Sequence, residues 1–292
     1  MDLSTIGVFA FLDGLNGRET GEFVRRIERL GFSAVWIPEG AGRDPFAHAG
    51  YLLSQTEKLF VASGIANVFM REPGTSIRAA RTLGELFKDR FILGLGVSGK
   101  AANVGRGLSW EKPVSFMRDY IAKMKATGYM APGPKTEPAV VLAGILPKMV
   151  ELAANETKGT HTYFVPPEHT ARVRSAIGPD KWICAEQAVM LESDPERARG
   201  AARKYMSLYL RLPGSSYVKN LRTFGFGDAD FAGDFSDRLV DAVVAWGNVD
   251  ELRARIDAHR KAGATHVCVL PLRADGLLIP DEAAVEALAP AK

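Results

Sequence analysis

The residue of this sequence whose position best suits proton transfer is Glu39. It follows the apolar run of residues 34–37 in the segment Pro38-Glu39-Gly40. In α/β proteins the carboxyl ends of the strands face the ligand, and a carboxyl group held there can act as a general acid or base. A solvated loop carboxylate would satisfy the same position, so the position alone leaves both interpretations open.

A second candidate is an anion site that follows the apolar run of residues 139–143. The loop Gly144-Ile145-Leu146 leads into a helix whose first turn suits Pro147. Backbone N–H groups at the start of a helix attract phosphate. Lys148 in that helix and Lys100 in an earlier loop are candidate contacts to an anionic substrate or cofactor tail, although exposed lysines would fit the sequence equally well.

Two glycines interrupt the apolar run of residues 91–97. Gly94 and Gly96 alternate with Leu93, Leu95 and Val97. Glycine inside a buried strand usually means that another group approaches the backbone closely. We expect that group to be a ligand.

Metal chemistry is disfavoured. The five histidines, at positions 48, 161, 169, 259 and 266, include no pair at metal-ligand spacing, so no metal site is expected. We predict that His48 packs on a helix and that His161 has a structural role at the start of a strand. Cys184 and Cys268 lie in apolar runs and are predicted to be reduced core residues.

Eight strand-like apolar runs alternate with amphipathic helices along the chain. They cover residues 5–11, 34–37, 59–67, 91–97, 139–143, 161–165, 182–191 and 265–271. This alternation is typical of an α/β protein. The count of eight predicts a (β/α)8 TIM barrel rather than an open sheet.

Two features of the later part of the chain need a place in such a barrel. Glu186 and Gln187 interrupt the apolar run of residues 182–191, so each must be paired or must lie at a ligand. Residues 207–237, between the seventh and eighth predicted strands, are rich in aromatic residues and glycine. We interpret them as an insertion that packs on the barrel and could serve as a substrate lid or a dimer surface.

Composition bounds the class of protein. The chain has 292 residues, 47% of them apolar and 24% charged, which suits a single domain over residues 1–292. A formal charge of +3 without basic runs indicates no nucleic-acid partner. No apolar stretch approaches the roughly 20 residues of a membrane span, and the first residues lack the features of a signal peptide, so we expect a cytoplasmic protein.

Four segments, in this order and spacing, carry a resemblance to a known family. They are Ser63-Gly64-Ile65-Ala66-Asn67-Val68, Arg71-Glu72-Pro73, Arg78-Ala79-Ala80-Arg81-Thr82-Leu83 and Arg90-Phe91-Ile92-Leu93-Gly94-Leu95-Gly96-Val97. The chain resembles the luciferase-like monooxygenase superfamily and, within it, the branch that uses the deazaflavin coenzyme F420. The resemblance implies a luciferase-like TIM barrel, with F420 at the carboxyl ends of the strands. It also implies hydride transfer to or from a small alcohol, carbonyl compound or enone.

The same resemblance implies a set of cofactor contacts. They are Ser63, Gly64, Ile65, Asn67, Gly96, Val97, Ser98, Ala143, Gly144, Ile145 and Leu146. It further implies that the third strand ends in a bulge with a cis peptide bond between Gly64 and Ile65, against one face of the cofactor ring. Ser63 would then point at the ring edge, and the Asn67 amide would meet its polar rim.

The resemblance also bears on catalysis and on the alternatives. Glu39 matches a position where the family usually has an acid near the ring, which implies that Glu39 is catalytic. Gly40 stands where many relatives have histidine, and Lys100 stands close to an acid of the sugar-phosphate dehydrogenases. Two other functions remain open, namely an FMN-dependent monooxygenase and a flavin-binding protein without turnover. A homodimer is expected.

Overall fold

A computed structural model describes residues 2–290, and within them the chain forms ten strands. The strands are β1 (Gly7–Phe9), β2 (Ala34–Ile37), β3 (Phe60–Ser63), β4 (Ala66–Asn67), β5 (Phe91–Gly96), β6 (Ala139–Ala143), β7 (Gly159–Thr162), β8 (Trp182–Leu191), β9 (Val244–Gly247) and β10 (His266–Pro271). Every ladder between them is parallel.

Eight of these strands close into a barrel. The neighbours run in the order β10, β1, β2, β3, β5, β6, β7, β8, and β8 pairs with β10 again. Val8 of β1, for example, is in register with Val269 on one side and Val35 on the other. The predicted TIM barrel is therefore confirmed.

Helices alternate with the barrel strands along the chain. They are α1 (Gly17–Arg29), α2 (Pro45–Ser54), α3 (Pro73–Leu86), α4 (Lys100–Gly105), α5 (Pro113–Lys125), α6 (Pro147–Glu156), α7 (Pro167–Ile177), α8 (Pro195–Leu210), α9 (Ser216–Arg222), α10 (Asp228–Phe231), α11 (Asp237–Val243), α12 (Val249–Lys261) and α13 (Glu282–Ala287). None of the helices within residues 2–290 combines the length and the apolar character needed to cross a membrane.

The strand β9 is absent from the sequence-based prediction. It pairs with the last residues of β8, where Ala188 and Val189 also pair with β10 on the other edge. It therefore continues the edge that β7 occupies earlier along β8. The sequence does not indicate β9 because this strand follows α11 without a break. A short apolar run directly after a helix cannot be distinguished by periodicity from a continuation of that helix.

Two predicted segments also differ in detail. The sixth strand spans Gly159–Thr162 rather than residues 161–165, so His161 lies inside the strand instead of at its start. Residues 207–237, which were interpreted as an insertion without assigned helices, contain the end of α8 and the short helices α9 and α10.

Side chains alternate between the barrel interior and the layer under the helices, as the two-residue period of a strand requires. Val8 and Val35 pack in the outer cluster, whereas Phe9 and Trp36 pack in the inner one. The inner cluster is not purely apolar. Trp36 Nε1 donates to His266 Nε2 at 3.1 Å, and His266 Nδ1 donates to the Leu3 carbonyl at 3.1 Å.

All five histidines are buried. Burial is the main reason why the pKa of His259 falls to about 3 and those of His48, His161, His169 and His266 fall to about 4. The fold therefore holds these imidazoles neutral at pH 7. In His259, for example, both ring nitrogens are hydrogen-bonded to uncharged side chains. Nε2 lies 2.9 Å from Gln187 Oε1, and Nδ1 lies 2.9 Å from Thr170 Oγ1.

These pKa shifts give an expected dependence of stability on pH. An unfolded histidine titrates near pH 6.5, so between that pH and about 4 the unfolded chain binds more protons than the fold, and stability falls as the pH falls. Each histidine contributes up to about 1.4 kcal/mol per pH unit. In urea unfolding at pH 6 and pH 5, His259→Gln should reduce the slope of unfolding free energy against pH by about that amount. Equal slopes for parent and variant would show that His259 is not held neutral.

Candidate active site

A cleft of about 320 Å³ opens at the carboxyl ends of the barrel strands. Its walls come from the ends of β1, β2, β3, β6 and β7, from the loop after β5, and from residues 208–217 at the junction of α8 and α9. This is the face on which TIM barrels carry their active sites. Of the eleven predicted cofactor contacts, Gly64, Ile65, Ser98 and Ala143 line the cleft.

The cleft's most unusual wall is a bulge between β3 and β4. The peptide bond between Gly64 and Ile65 is cis, as the resemblance implies. Ser63, just before it, is expected to point at a cofactor ring, and its hydroxyl has partners within the protein. The Ser63 hydroxyl is fully buried, donates to the Gly94 carbonyl at 2.8 Å and accepts from the Gly94 N–H at 2.9 Å. Ser63 therefore ties the bulge to β5.

The glycines of β5 make room for this bulge. A Cβ atom on Gly94 would lie 1.9 Å from the Ser63 carbonyl oxygen, and one on Gly96 would lie 2.5 Å from Ile65 Cγ1. The sequence-based expectation was a ligand, but the groups that approach the strand belong to the protein: the Ser63 backbone at Gly94 and the Ile65 side chain at Gly96. Gly96 is buried beneath Ile65 and is not part of the cleft wall.

Asn67 and Val97 support the cleft from behind. The Asn67 side chain donates to Asn103 Oδ1 at 2.7 Å and accepts from the Phe69 N–H at 3.1 Å. Asn103 in turn donates to the Val97 carbonyl at 2.7 Å. Both ends of the Asn67 amide therefore have a partner within the protein, and neither Asn67 nor Val97 lines the cleft.

Glu39 lines the cleft as predicted, but its carboxylate is already bound. Arg71 Nη1 donates to Glu39 Oε2 at 2.6 Å, Arg71 Nη2 donates to Glu39 Oε1 at 2.5 Å, and the Asn67 N–H donates to Oε2 at 2.6 Å. The two side chains are only 5% and 10% exposed. A carboxylate held by a bidentate arginine and a backbone N–H is a positioning group, so the geometry does not support the predicted general acid or base.

The loop before α6 presents unused backbone donors. The N–H groups of Ile145, Leu146 and Lys148 meet no acceptor within residues 2–290, and Leu146 caps α6 without a side-chain hydrogen bond. Gly144 differs, because its N–H donates to the His161 carbonyl at 3.2 Å. An anion placed at this helix start would find two or three donors.

Two histidines that were predicted to have only packing or structural roles line the cleft. His161 forms part of the wall, stacked on Trp36 with the ring centroids 4.6 Å apart. Its Nδ1 donates to the Cys184 carbonyl at 3.0 Å, which leaves its buried Nε2 without a partner in the described part of the chain. His48 also lines the cleft with an unpartnered Nε2. A strand placed at residues 159–162 would have indicated that His161 faces inward.

Tyrosines and leucines form the wall opposite the bulge. Tyr163 comes from the end of β7, while Leu208, Tyr209, Leu212 and Tyr217 come from the aromatic-rich segment. The segment therefore contributes directly to the cleft, which agrees with the interpretation as a lid. Nothing in a single chain tests the alternative of a dimer surface.

The comparisons with known proteins agree with this geometry. The model of the family described as luciferase-like monooxygenase matches residues 5–266. A Mycobacterium tuberculosis protein, named as a candidate coenzyme F420-dependent oxidoreductase, is 25% identical over 85% of this chain and 89% of its own length. The F420-dependent tetrahydromethanopterin reductase of Methanopyrus kandleri superposes with a TM-score of 0.77 at 18% identity, covering 99% of this chain and 98% of that one.

A second solved structure is equally similar. An F420-dependent secondary alcohol dehydrogenase, crystallised with an F420–acetone adduct, has a TM-score of 0.77 at 16% identity, with the same coverage of 99% and 98%. At these identities the two structures show a shared fold.

The contact between the bulge and β5 predicts a large effect of one methyl group. Gly94→Ala places its Cβ against the Ser63 backbone, so we expect it to lower the free energy of unfolding by at least about 1 to 3 kcal/mol. Gly200→Ala is the matched control, because it lies inside α8 and its Cβ would meet nothing within 4 Å. That change should stabilise the protein by about 0.5 to 1 kcal/mol. Urea unfolding of both variants is the measurement, and a Gly94→Ala protein as stable as the parent would contradict the packing.

The ion pair of Glu39 gives a second expected outcome. Arg71→Met leaves a buried carboxylate unpaired and should cost about 3 to 5 kcal/mol of unfolding free energy, whereas the double variant Arg71→Met/Glu39→Gln should recover most of that loss. Arg18→Met, which breaks the exposed pair with Glu22, serves as the control and should change stability by less than about 1 kcal/mol. If Arg71→Met changes the free energy of unfolding as little as this control does, the ion pair does not hold Glu39, and its carboxylate would be available as a general acid or base.

Proposed function

The chain belongs to the luciferase-like monooxygenase family, and we propose that it is an oxidoreductase that binds F420 and transfers a hydride between this cofactor and a small organic substrate. The substrate would be of the alcohol, carbonyl or enone type. Both the relative named above and the two similar structures carry F420 in their names. These names describe the other proteins, and the support from this chain is the geometry of its own cleft.

The observation that carries the proposal is the combination of a bulged wall with a free anion site. Gly64 and Ile65 form the bulged wall, and Ser98, Gly99, Ala102 and Ala143 are among the small residues that line the cleft elsewhere. Small side chains leave room for a flat ring system. Beside Ala143, the loop before α6 offers N–H groups that meet no acceptor in the described residues, as a phosphate-bearing tail requires.

The roles of this chain's residues follow from that placement. The bulge would support one face of the ring and leave the other open to the substrate. Glu39 and Arg71 would hold the end of the bulge through the Asn67 N–H. The neutral imidazoles of His48 and His161 each have a free Nε2 that could meet a polar group of the ligand.

The cofactor would supply hydride chemistry, because a deazaflavin moves two electrons together and is a poor one-electron partner for oxygen. This distinguishes the proposal from an FMN-dependent monooxygenase, which needs reduced flavin and oxygen. A flavin-binding protein without turnover would share the cleft but would not reduce any acceptor. The prediction of a homodimer is untested.

The proposal is tested by titrating the protein with F420 and with FMN, by calorimetry or by cofactor fluorescence. We expect F420 to bind more tightly, because its longer anionic tail can reach the exposed Lys148 and Lys100. Lys148→Ala should weaken F420 binding by about 5- to 100-fold, the usual value of a well-ordered charged contact. Lys135→Ala, which removes an exposed lysine outside the cleft, should leave it unchanged. Tight binding of FMN with none of F420 would reverse the assignment.

A further inference from the structure

Three tyrosine hydroxyls form a chain that ends at the cleft. The Tyr205 hydroxyl donates to that of Tyr163 at 2.7 Å, and the Tyr163 hydroxyl donates to that of Tyr209 at 3.0 Å. Tyr205, on α8, is only 4% exposed, whereas Tyr163 and Tyr209 are partly exposed and line the cleft. The chain therefore runs from the protein interior to the place where a substrate would lie.

The direction of these hydrogen bonds leaves the hydroxyl proton of Tyr209 available for a ligand. Tyr205 and Tyr163 use their protons in the two bonds, whereas Tyr209 only accepts. Within residues 2–290 no acceptor meets the Tyr209 hydroxyl proton. A hydroxyl that already accepts a hydrogen bond is a stronger donor in turn, because successive bonds polarise one another.

A buried carboxyl group lies behind the tyrosines. Glu186, on the inner face of β8, is 1% exposed. Its Oε2 accepts from the N–H of Phe164, the residue after Tyr163, at 3.1 Å, and its Oε1 has no partner in the described chain. Burial raises the pKa of Glu186 to about 8, so the group is largely neutral at pH 7. Glu186 therefore adds little negative charge beside the tyrosines at pH 7. Burial raises the pKa of Tyr209 to about 12, so Tyr209 keeps its proton until a strongly basic oxygen develops on the ligand.

The charges of the cleft are already compensated. Glu39 is bound by Arg71, while Arg43 lies 3.8 Å from Asp13 and donates to the Leu12 carbonyl at 2.9 Å. The residues next to Tyr209 on the cleft wall are instead apolar, with Leu208 and Leu212 among them. The ligand that suits this end of the cleft is uncharged, apolar in its flanks, and carries an oxygen that accepts a hydrogen bond.

We propose that Tyr209 is the catalytic proton donor to the carbonyl oxygen of a neutral ketone or aldehyde, with Tyr163 and Tyr205 as positioning residues. This inference rests on the proposed function and names its substrate class and its acid. Glu39 cannot fill that role while both of its oxygens are bound by Arg71.

The carbonyl carbon gains a hydride, which would come from reduced F420 as that cofactor is oxidised, and the electron pair of the C=O π bond moves to oxygen. Tyr209 gives its proton to that oxygen, which completes the alcohol. The resulting phenolate is held by the hydrogen bond from Tyr163, which strengthens because its acceptor is now charged. Water at the cleft mouth then returns a proton to Tyr209. In the oxidation of an alcohol the same steps run in reverse.

The test uses isobutyramide, a neutral carbonyl compound that is not reduced, as a probe of the protein saturated with F420. Calorimetry should show that Tyr209→Phe binds isobutyramide at least about tenfold more weakly than the parent, since one hydrogen bond to the carbonyl oxygen is lost. Tyr205→Phe should have a smaller effect, because it removes only the far end of the chain. Isobutyrate, the anion of the same shape, should bind more weakly than the amide.

Tyr129→Phe is the matched control. It removes a hydroxyl that lies 3.0 Å from the Thr82 hydroxyl at a site outside the cleft, and it should bind the amide as the parent does. In the reduction of 2-butanone by reduced F420, Tyr209→Phe should lower kcat by at least about 100-fold, as loss of a general acid does. Its affinity for F420 should be unchanged, which also shows that the variant is folded.

The outcomes separate the two proposals. If the parent does not bind F420, the proposed function fails. If F420 binds but the parent binds no isobutyramide, or Tyr209→Phe binds it as the parent does, the proton donor is overturned and the cofactor assignment stands. Preference for isobutyrate over isobutyramide would overturn the neutral substrate class.

Discussion

The contact between residues 63–67 and two glycines of β5 is the constraint on which the rest of the cleft depends. The backbone leaves β3 at Ser63 and rejoins the sheet at β4, and it can do so only because Gly94 and Gly96 have no side chains at that place. Ser63 then ties the bulge to the Gly94 backbone from one side, and the Glu39–Arg71 pair holds the Asn67 N–H from the other. Several residues that resemble cofactor contacts are thus the supports of one wall. A wall held this firmly can orient a ligand without reorganising when it binds.

Electrostatic neutrality is the second property of the cleft. The ionised groups that line it are paired within the protein, and the buried histidines have pKa values too low to carry charge at pH 7. Glu186 is also largely neutral at pH 7, because burial raises the pKa of its carboxyl group. Desolvation acts against whichever form is charged. This neutrality is the basis for proposing an uncharged substrate, and the open backbone donors before α6 are the basis for proposing an anionic cofactor tail there.

The aromatic-rich segment, residues 207–237, forms the wall of the cleft opposite the bulge. It lies between β8 and β10 of the barrel, and it supplies the wall on which Tyr209 and its apolar neighbours lie. In TIM barrels the chemistry is varied through such connecting segments while the strands are kept. Under the proposed function, α8 and α9 would form the substrate side of this cleft, and the strands and the bulge would form the cofactor side.

The sequence by itself determined the eightfold alternation, the position of Glu39 at a strand end and the helix start after residues 139–143, because these follow from local periodicity and helix-start signals. For the bulge at Gly64 the sequence offered only the resemblance to a known family. It could not determine what each polar side chain binds. Glu39 meets Arg71 across 32 positions, Ser63 meets Gly94 across 31, and Tyr163 meets Tyr209 across 46. Only the closed barrel brings such pairs within hydrogen-bond distance. Partners so distant in sequence leave no periodic signal, so the tertiary structure alone decided which groups are engaged and which remain free for a ligand.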